Sequence, residues 1–175
     1  LDSEVNQLFS TYNENYWTIL PIEPLTVGEG KISLGPSENT NFRRAEEKAI
    51  KAVQKHSVNV KGKEYNSQMD EAYLLLGKSR YYDQRFIPAL EAFNYILAKY
   101  PASDKINQAF IWRAKTNIRL ENDAQAVKNL KRLLSLEKLE DDERAEAQAA
   151  LAQAYINLKH LDSAQVALSE AADYV

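Results

Sequence analysis

The chain has 175 residues with a net charge of −3 and a pI near 5.5; 45% of its residues are hydrophobic and 27% charged, the composition of a folded soluble protein with one or two domains or one short array. The acidic balance argues against general nucleic-acid binding, which needs a concentrated basic field, and no apolar run approaches the ~18–20 residues of a membrane-spanning helix. The lack of Cys rules out disulfides, thiolate chemistry and Cys-based metal sites.

The chain starts at Leu1, so a processed protein or an excised fragment is expected, with any targeting segment out of view. Residues 3–15 read as a helix with Val5, Leu8, Phe9 and Tyr12 on one face. The segment from Trp17 to Leu25 is apolar and broken by two prolines. Residues 27–41 carry three Gly and one Pro without periodicity and read as a loop, either functional or a plain Ω-loop. Residues 42–57 are helical again, with Ala45, Ala49, Ile50 and Val53 inward and Arg44, Glu47, Lys48 and Lys51 outward. Residues 58–66 form a polar connector.

From Asp70 onward the pattern is densely helical. Ala72, Leu75, Leu76 and Ser79 form one stripe, and Phe86, Ala89, Leu90, Phe93 and Leu97 form the next. Pro88 suits the first turn of that second helix, and Tyr100-Pro101 ends it. Ser103 or Asp104 can cap a helix carrying Phe110, Ile111, Ala114 and Ile118. After a turn at Asn122-Asp123 come Ala126, Val127, Leu130, Leu133 and Leu134. Asp141 and Asp142 precede a helix with Ala147, Leu151, Ala154, Tyr155 and Leu158, and Asp162 opens the last, with Ala164, Leu168 and Ala171.

Three tiny residues, Gly77, Ala114 and Ala152, recur 37 and 38 residues apart, and each is followed twelve residues later by Ala89, Ala126 and Ala164. Twelve residues lead from mid-helix around a tight turn into the next helix, and a small residue at both points lets two antiparallel helices cross closely. The period marks an array of helical hairpins. Tyr73, Leu76-Gly77, Phe86, Ala89, Phe93 and Pro101, then Phe110, Ala114, Ala126 and Leu130, then Leu151-Ala152, Tyr155, Ala164 and Leu168 resemble the tetratricopeptide repeat. That resemblance implies an all-α, right-handed α-solenoid. Its repeats would fall at about 70–103, 107–140 and 145–175, within a region 67–175 preceded by N-terminal helices and a long loop at 1–66. The period exceeds the usual ~34 residues, and Arg80 and Asn117 stand where the repeat carries an aromatic residue.

A second resemblance runs through the loops as well. Asn15-Tyr-Trp-Thr-Ile-Leu-Pro-Ile-Glu-Pro-Leu25, Ala45-Glu-Glu-Lys-Ala49, Gln54-Lys-His-Ser57, Gly62-Lys-Glu64, Asp70-Glu-Ala-Tyr-Leu-Leu-Leu-Gly-Lys78 and Tyr81-Tyr-Asp-Gln-Arg-Phe86 are similar to the PorW/SprE family. These are outer-membrane lipoproteins of Bacteroidota needed for type IX protein secretion and gliding motility. The resemblance implies a non-catalytic protein–protein interaction scaffold on the periplasmic face of the outer membrane. Its partners would be secretion-machine components of the cell envelope, with no nucleic acid and no cofactor. Membrane association would come only through a lipid anchor outside this chain, since the family's lipid-modified Cys is missing here. Two other readings stand beside it: a different cell-envelope assembly scaffold, such as a barrel-assembly-like lipoprotein, and the substrate-recruiting repeat region of a larger enzyme.

Catalytic signatures are lacking. Gly77-Lys-Ser79 ends like a phosphate-binding loop, but Ala72 stands where its first glycine belongs. Gly28, Gly30 and Gly35 have no strand before them. His56 and His160 are far apart in the chain and pair with no acid at ligand spacing, so no metal site is expected. The many carboxylates fit helix caps and solvated faces, and none is expected to be catalytic.

In a tetratricopeptide array the first helix of each hairpin lines a concave groove. Carried onto this chain, that implies a partner-binding groove of Lys78, Tyr81, Tyr82, Ile111, Lys115, Ile118, Arg119 and Gln153, basic with apolar flanks and suited to an acidic peptide or an amphipathic helix. The alternative is that the lysines are solvated and the tyrosines close packing between hairpins. Reversing Lys78 and Lys115 to Glu is expected to weaken a groove ligand and leave the melting midpoint alone. Trp17, Tyr16 and Leu20 form a second candidate surface, either packed over the first hairpin or touching a partner.

Overall fold

The computed structural model describes residues 40–60, 63, 64, 66, 68–136 and 139–174. The expected helix at 3–15, the segment from Trp17 to Leu25 and the loop as far as residue 39 lie outside these. Among the described residues the protein is all-helical apart from one short ribbon. Its elements are α1 (Thr40–His56), β1 (Asn59–Val60), β2 (Lys63–Glu64), α2 (Met69–Tyr82), α3 (Phe86–Lys99), α4 (Ile106–Arg119), α5 (Asp123–Leu134), α6 (Asp141–Asn157) and α7 (Leu161–Ala172). The ribbon occupies part of the expected polar connector, with Asn59 opposite Glu64 and Val60 opposite Lys63 in antiparallel register. The described residues form two compact units, one ending at Ala109 and one beginning at Phe110.

In the first unit, α1 packs on α2 and α2 on α3. Ala49, Leu76 and Ala92 meet in one cluster, backed by Ile50 and Tyr73. Phe42 stacks on Tyr82 at 6.2 Å between ring centroids, and Tyr73 on Tyr95 at 4.2 Å. Lys55 and His56 close α1 where cations favour the helix dipole, and Asn66 Nδ2 donates to the His56 carbonyl at 2.8 Å. The buried face of α2 differs from the expected stripe. Leu75 is exposed, whereas Leu74 and Tyr81 join Leu76, Gly77 and Ser79 inside. With α1 on one side and α3 on the other, α2 buries two faces, which a single-stripe reading undercounts.

In the second unit, one core unites Ile111, Ala114 and Ile118 of α4 with Ala126, Leu130 and Leu133 of α5, Ala147, Ala150, Leu151, Ala152 and Ala154 of α6, and Ala167 of α7. Alanine dominates α6, so its neighbours approach closely from several directions. Buried hydroxyls satisfy themselves locally: Ser79 Oγ donates to the Leu75 carbonyl at 2.8 Å, and Thr116 Oγ1, 37 positions later, to the Trp112 carbonyl at 2.7 Å.

The turns α2–α3, α4–α5 and α6–α7 share one construction. Each has a non-glycine residue in the left-handed region: Gln84, Glu121 and Lys159, with φ of 61°, 61° and 62°. The N–H groups of Arg85, Asn122 and His160 donate to the carbonyls of Arg80, Asn117 and Tyr155 at 2.8, 2.8 and 2.9 Å. Those of Gln84, Glu121 and Lys159 donate to Tyr81, Ile118 and Ile156 at 2.9, 3.0 and 2.9 Å. This is the Schellman pair of bonds, which satisfies the last carbonyls of a helix. The carbonyls of Arg85, Asn122 and His160 then accept the first bonds of the next helices, from Ala89, Ala126 and Ala164. The 37- and 38-residue spacing of the small residues is thus also the spacing of the left-handed turns.

Candidate interaction surfaces

Of the eight groove positions, Lys78, Tyr81 and Tyr82 belong to the first unit and the other five to the second. Tyr81 is 4% exposed and meets Tyr82 and Phe86 edge-on at 5.6 and 5.5 Å. Ile111 and Ile118 are 0% and 5% exposed within the second core. These three side chains are interior packing and present no contact surface, because the helices that carry them bury a wider face than the carried-over pattern assigns. Lys78, Tyr82, Arg119 and Gln153 are half-buried, and Gln153 Nε2 donates to Asn157 Oδ1 at 3.1 Å.

Lys115 is 7% exposed. Its Nζ donates to Glu146 Oε1 at 3.0 Å and lies 4.1 Å from the centre of the Trp112 ring. It therefore ties α4 to α6, and the expectation that its reversal spares stability is corrected: a carboxylate there would face Glu146. Trp17, Tyr16 and Leu20 lie outside the described residues.

Sequence reasoning missed a buried ionic cluster in the first unit. Glu46 Oε1 accepts from Arg80 Nε at 2.8 Å, and Oε2 accepts from Arg85 Nη1. Arg80 Nη1 also donates to the Pro88 carbonyl at 3.1 Å, and Asp83 Oδ2 stands 3.8 Å from Arg85 Nη1. Burial pushes the Glu46 carboxyl up, but the hydrogen bonds and charges of Arg80 and Arg85 outweigh it and hold the group below the ordinary carboxylate range. The signal was present: Phe42, Glu46, Ala49 and Val53 fall on one helical stripe, and a carboxylate on an apolar stripe calls for a cation. Arg80 supplies it.

Elsewhere the polar groups connect elements within a unit. Ser103 Oγ donates to Asp70 Oδ2 and accepts from the Lys105 N–H at 2.9 Å, so it clamps the start of α2, while the Lys105 carbonyl, not Ser103 or Asp104, accepts the first bond of α4. Asn157 Nδ2 donates to Asp123 Oδ1 at 2.7 Å. Arg113 lies over Phe110, and burial together with the charge of Arg132 lowers its pKa. Among the described residues no group of three or more His, Asp or Glu could hold a metal ion, and no helix is long and apolar enough to cross a membrane. The chain matches no protein-family model and no curated protein.

Proposed function

We propose that this chain is a non-catalytic interaction scaffold built as a right-handed, tetratricopeptide-like α-solenoid, and that it serves type IX secretion and gliding from the periplasmic face of the outer membrane. The observation that supports the repeat reading is the recurrence of one turn construction at Gln84, Glu121 and Lys159. Turns of one construction at near-equal spacing, here 37 and 38 residues, between antiparallel helices are how repeat arrays are made. The secretion assignment rests on the sequence resemblance to the PorW/SprE family, and the partners it brings are components of the secretion machine. A lipid anchor would lie outside this chain.

Within this reading the contact residues are Lys78 and Tyr82 in the first unit and, taken separately, Arg119 and Gln153 in the second, the half-buried members of the groove set. The test is a pull-down from detergent-solubilised Bacteroidota envelopes, read by mass spectrometry, with a Lys78→Glu/Arg119→Glu variant of confirmed melting midpoint beside the wild type. Enrichment of secretion components that the variant loses is the expected result. Enrichment of barrel-assembly proteins would move the scaffold to that machinery.

A further inference from the structure

The second unit contains a cleft of about 690 Å³ between the last turn of α5 and the length of α7, floored by α6. Its floor is a helical stripe, Arg144, Gln148, Leu151 and Tyr155, which runs beside Tyr174, Glu170, Ala167 and Ser163 of the antiparallel wall. The contacts confirm that alignment: Arg144 lies 5.6 Å from the Tyr174 ring centre, and Gln148 Nε2 donates to Glu170 Oε2. The volume is that of a ligand site.

Two observations indicate what the cleft takes. Gln148 lines it, is 8% exposed, and spends its N–H on Glu170, which leaves Oε1 buried with no hydrogen-bond partner. A buried acceptor without a donor costs free energy that a ligand donor would recover. Charges of both signs line it, Lys131 and Arg144 with Glu170 and Asp173, and Arg144 also donates to the Leu134 and Leu136 carbonyls at 3.4 and 3.5 Å. Toward Tyr155 the cleft turns apolar, through Leu151 and Ala167, and exposed Val166 sits at its rim. A purely apolar or singly charged ligand would leave Gln148 or one sign of charge unanswered.

We propose that this cleft is a docking site for a peptide segment of a partner protein. The segment places a bulky apolar side chain against half-buried Tyr155 and exposed Val166, donates a side-chain N–H or O–H to Gln148 Oε1, and carries an acid toward Arg144 and a base toward Glu170. The site uses second-unit residues alone, is separate from the groove positions above, and stands whether or not the secretion assignment holds.

The test is selection of a random dodecapeptide display library on the full chain, followed by titration of the enriched peptides against three variants. Ser163→Trp fills the cleft from a half-buried position, Val166→Glu charges its rim, and Gln148→Met removes the acceptor. Peptides of the stated pattern should emerge. They should lose about tenfold or more in affinity on Ser163→Trp and Val166→Glu, and donor-bearing peptides alone should lose affinity on Gln148→Met. Each variant's melting midpoint is measured alongside, and the Gln148 side-chain amide resonances of the wild type should shift on peptide addition, a readout independent of the variants. Peptides that bind all three variants equally and leave those resonances in place would overturn the proposal, as would a library without enrichment. A wild-type chain that sediments as a dimer, lost in Val166→Glu, would also overturn it by assigning the cleft to a second copy.

Discussion

Gly77 and Phe93 cannot both carry more than they do: a Cβ on Gly77 would stand 2.3 Å from Phe93 Cε1 and 2.6 Å from its Cζ. Phe93 is 0% exposed, so its ring has nowhere to swing. In an ordinary helix Gly→Ala gains roughly 1 kcal/mol from propensity. Overpacking a filled core costs about 1–3 kcal/mol, more where the clash is this short. Gly77→Ala should therefore destabilise by about 2 kcal/mol net in urea unfolding, and Phe93→Leu should recover part of that loss in the double variant while destabilising the wild type. A Gly77→Ala protein as stable as the wild type would show that α2 and α3 can separate.

Glu46 makes the first unit acid-sensitive in a defined direction. Its folded pKa lies below the ordinary carboxylate value of about 4.5, so on acidification the unfolded chain takes up the proton first. The stabilisation is complete above the ordinary carboxylate range and drains away as pH falls through it. Glu46→Gln leaves Arg85, 8% exposed, without its closest anion, and should cost about 3 kcal/mol at neutral pH. The gap between wild type and E46Q should then narrow as the pH drops below ~4.5. A gap that stays constant would mean the carboxylate contributes no charge-dependent stability.

The left-handed turns predict a gain. Gln84, Glu121 and Lys159 hold φ near 61–62°, where an L-side chain costs roughly 1 kcal/mol and glycine nothing. Lys159→Gly is the cleanest test, because Lys159 is exposed. It should raise stability by about 0.5–1 kcal/mol, seen as a higher urea midpoint with unchanged slope. A lower midpoint would show that the flexibility glycine adds to the unfolded chain outweighs the relief.

Lys115→Glu should lower the melting midpoint markedly, by the equivalent of about 3 kcal/mol, since it sets a carboxylate beside Glu146 and removes the cation from Trp112. Lys115→Glu/Glu146→Lys should restore much of it. An unchanged midpoint in the single variant would return Lys115 to the surface.

The helices were legible in the sequence because small residues, Pro88, Tyr100-Pro101 and the acidic starts of α6 and α7 act locally. α3 does end at Lys99 before that Pro, and Ser103 does engage the chain beyond it. The left-handed turns were hidden, because Gln, Glu and Lys carry no turn signature and the hydrogen bonds of the backbone impose the conformation. The surface was harder still. Which lysine is solvated depends on the helix that arrives opposite it: Glu146 lies 31 positions after Lys115 and shares no local pattern with it. Glu46 was missed because its partners, Arg80 near the end of α2 and Arg85 in the turn after it, lie 34 and 39 positions further along the chain.

The three turns agree in backbone and bonds while their residues mostly do not: among Asp83-Gln84-Arg85, Leu120-Glu121-Asn122 and Leu158-Lys159-His160 the one match is Leu120 with Leu158. Equivalent turns are therefore interchangeable seams. Cutting after Gln84 and rejoining at Asn122 would excise one whole period and leave the chain entering the next helix in the same phase. The turn construction by itself therefore sets no bar to the loss or duplication of a hairpin at these points.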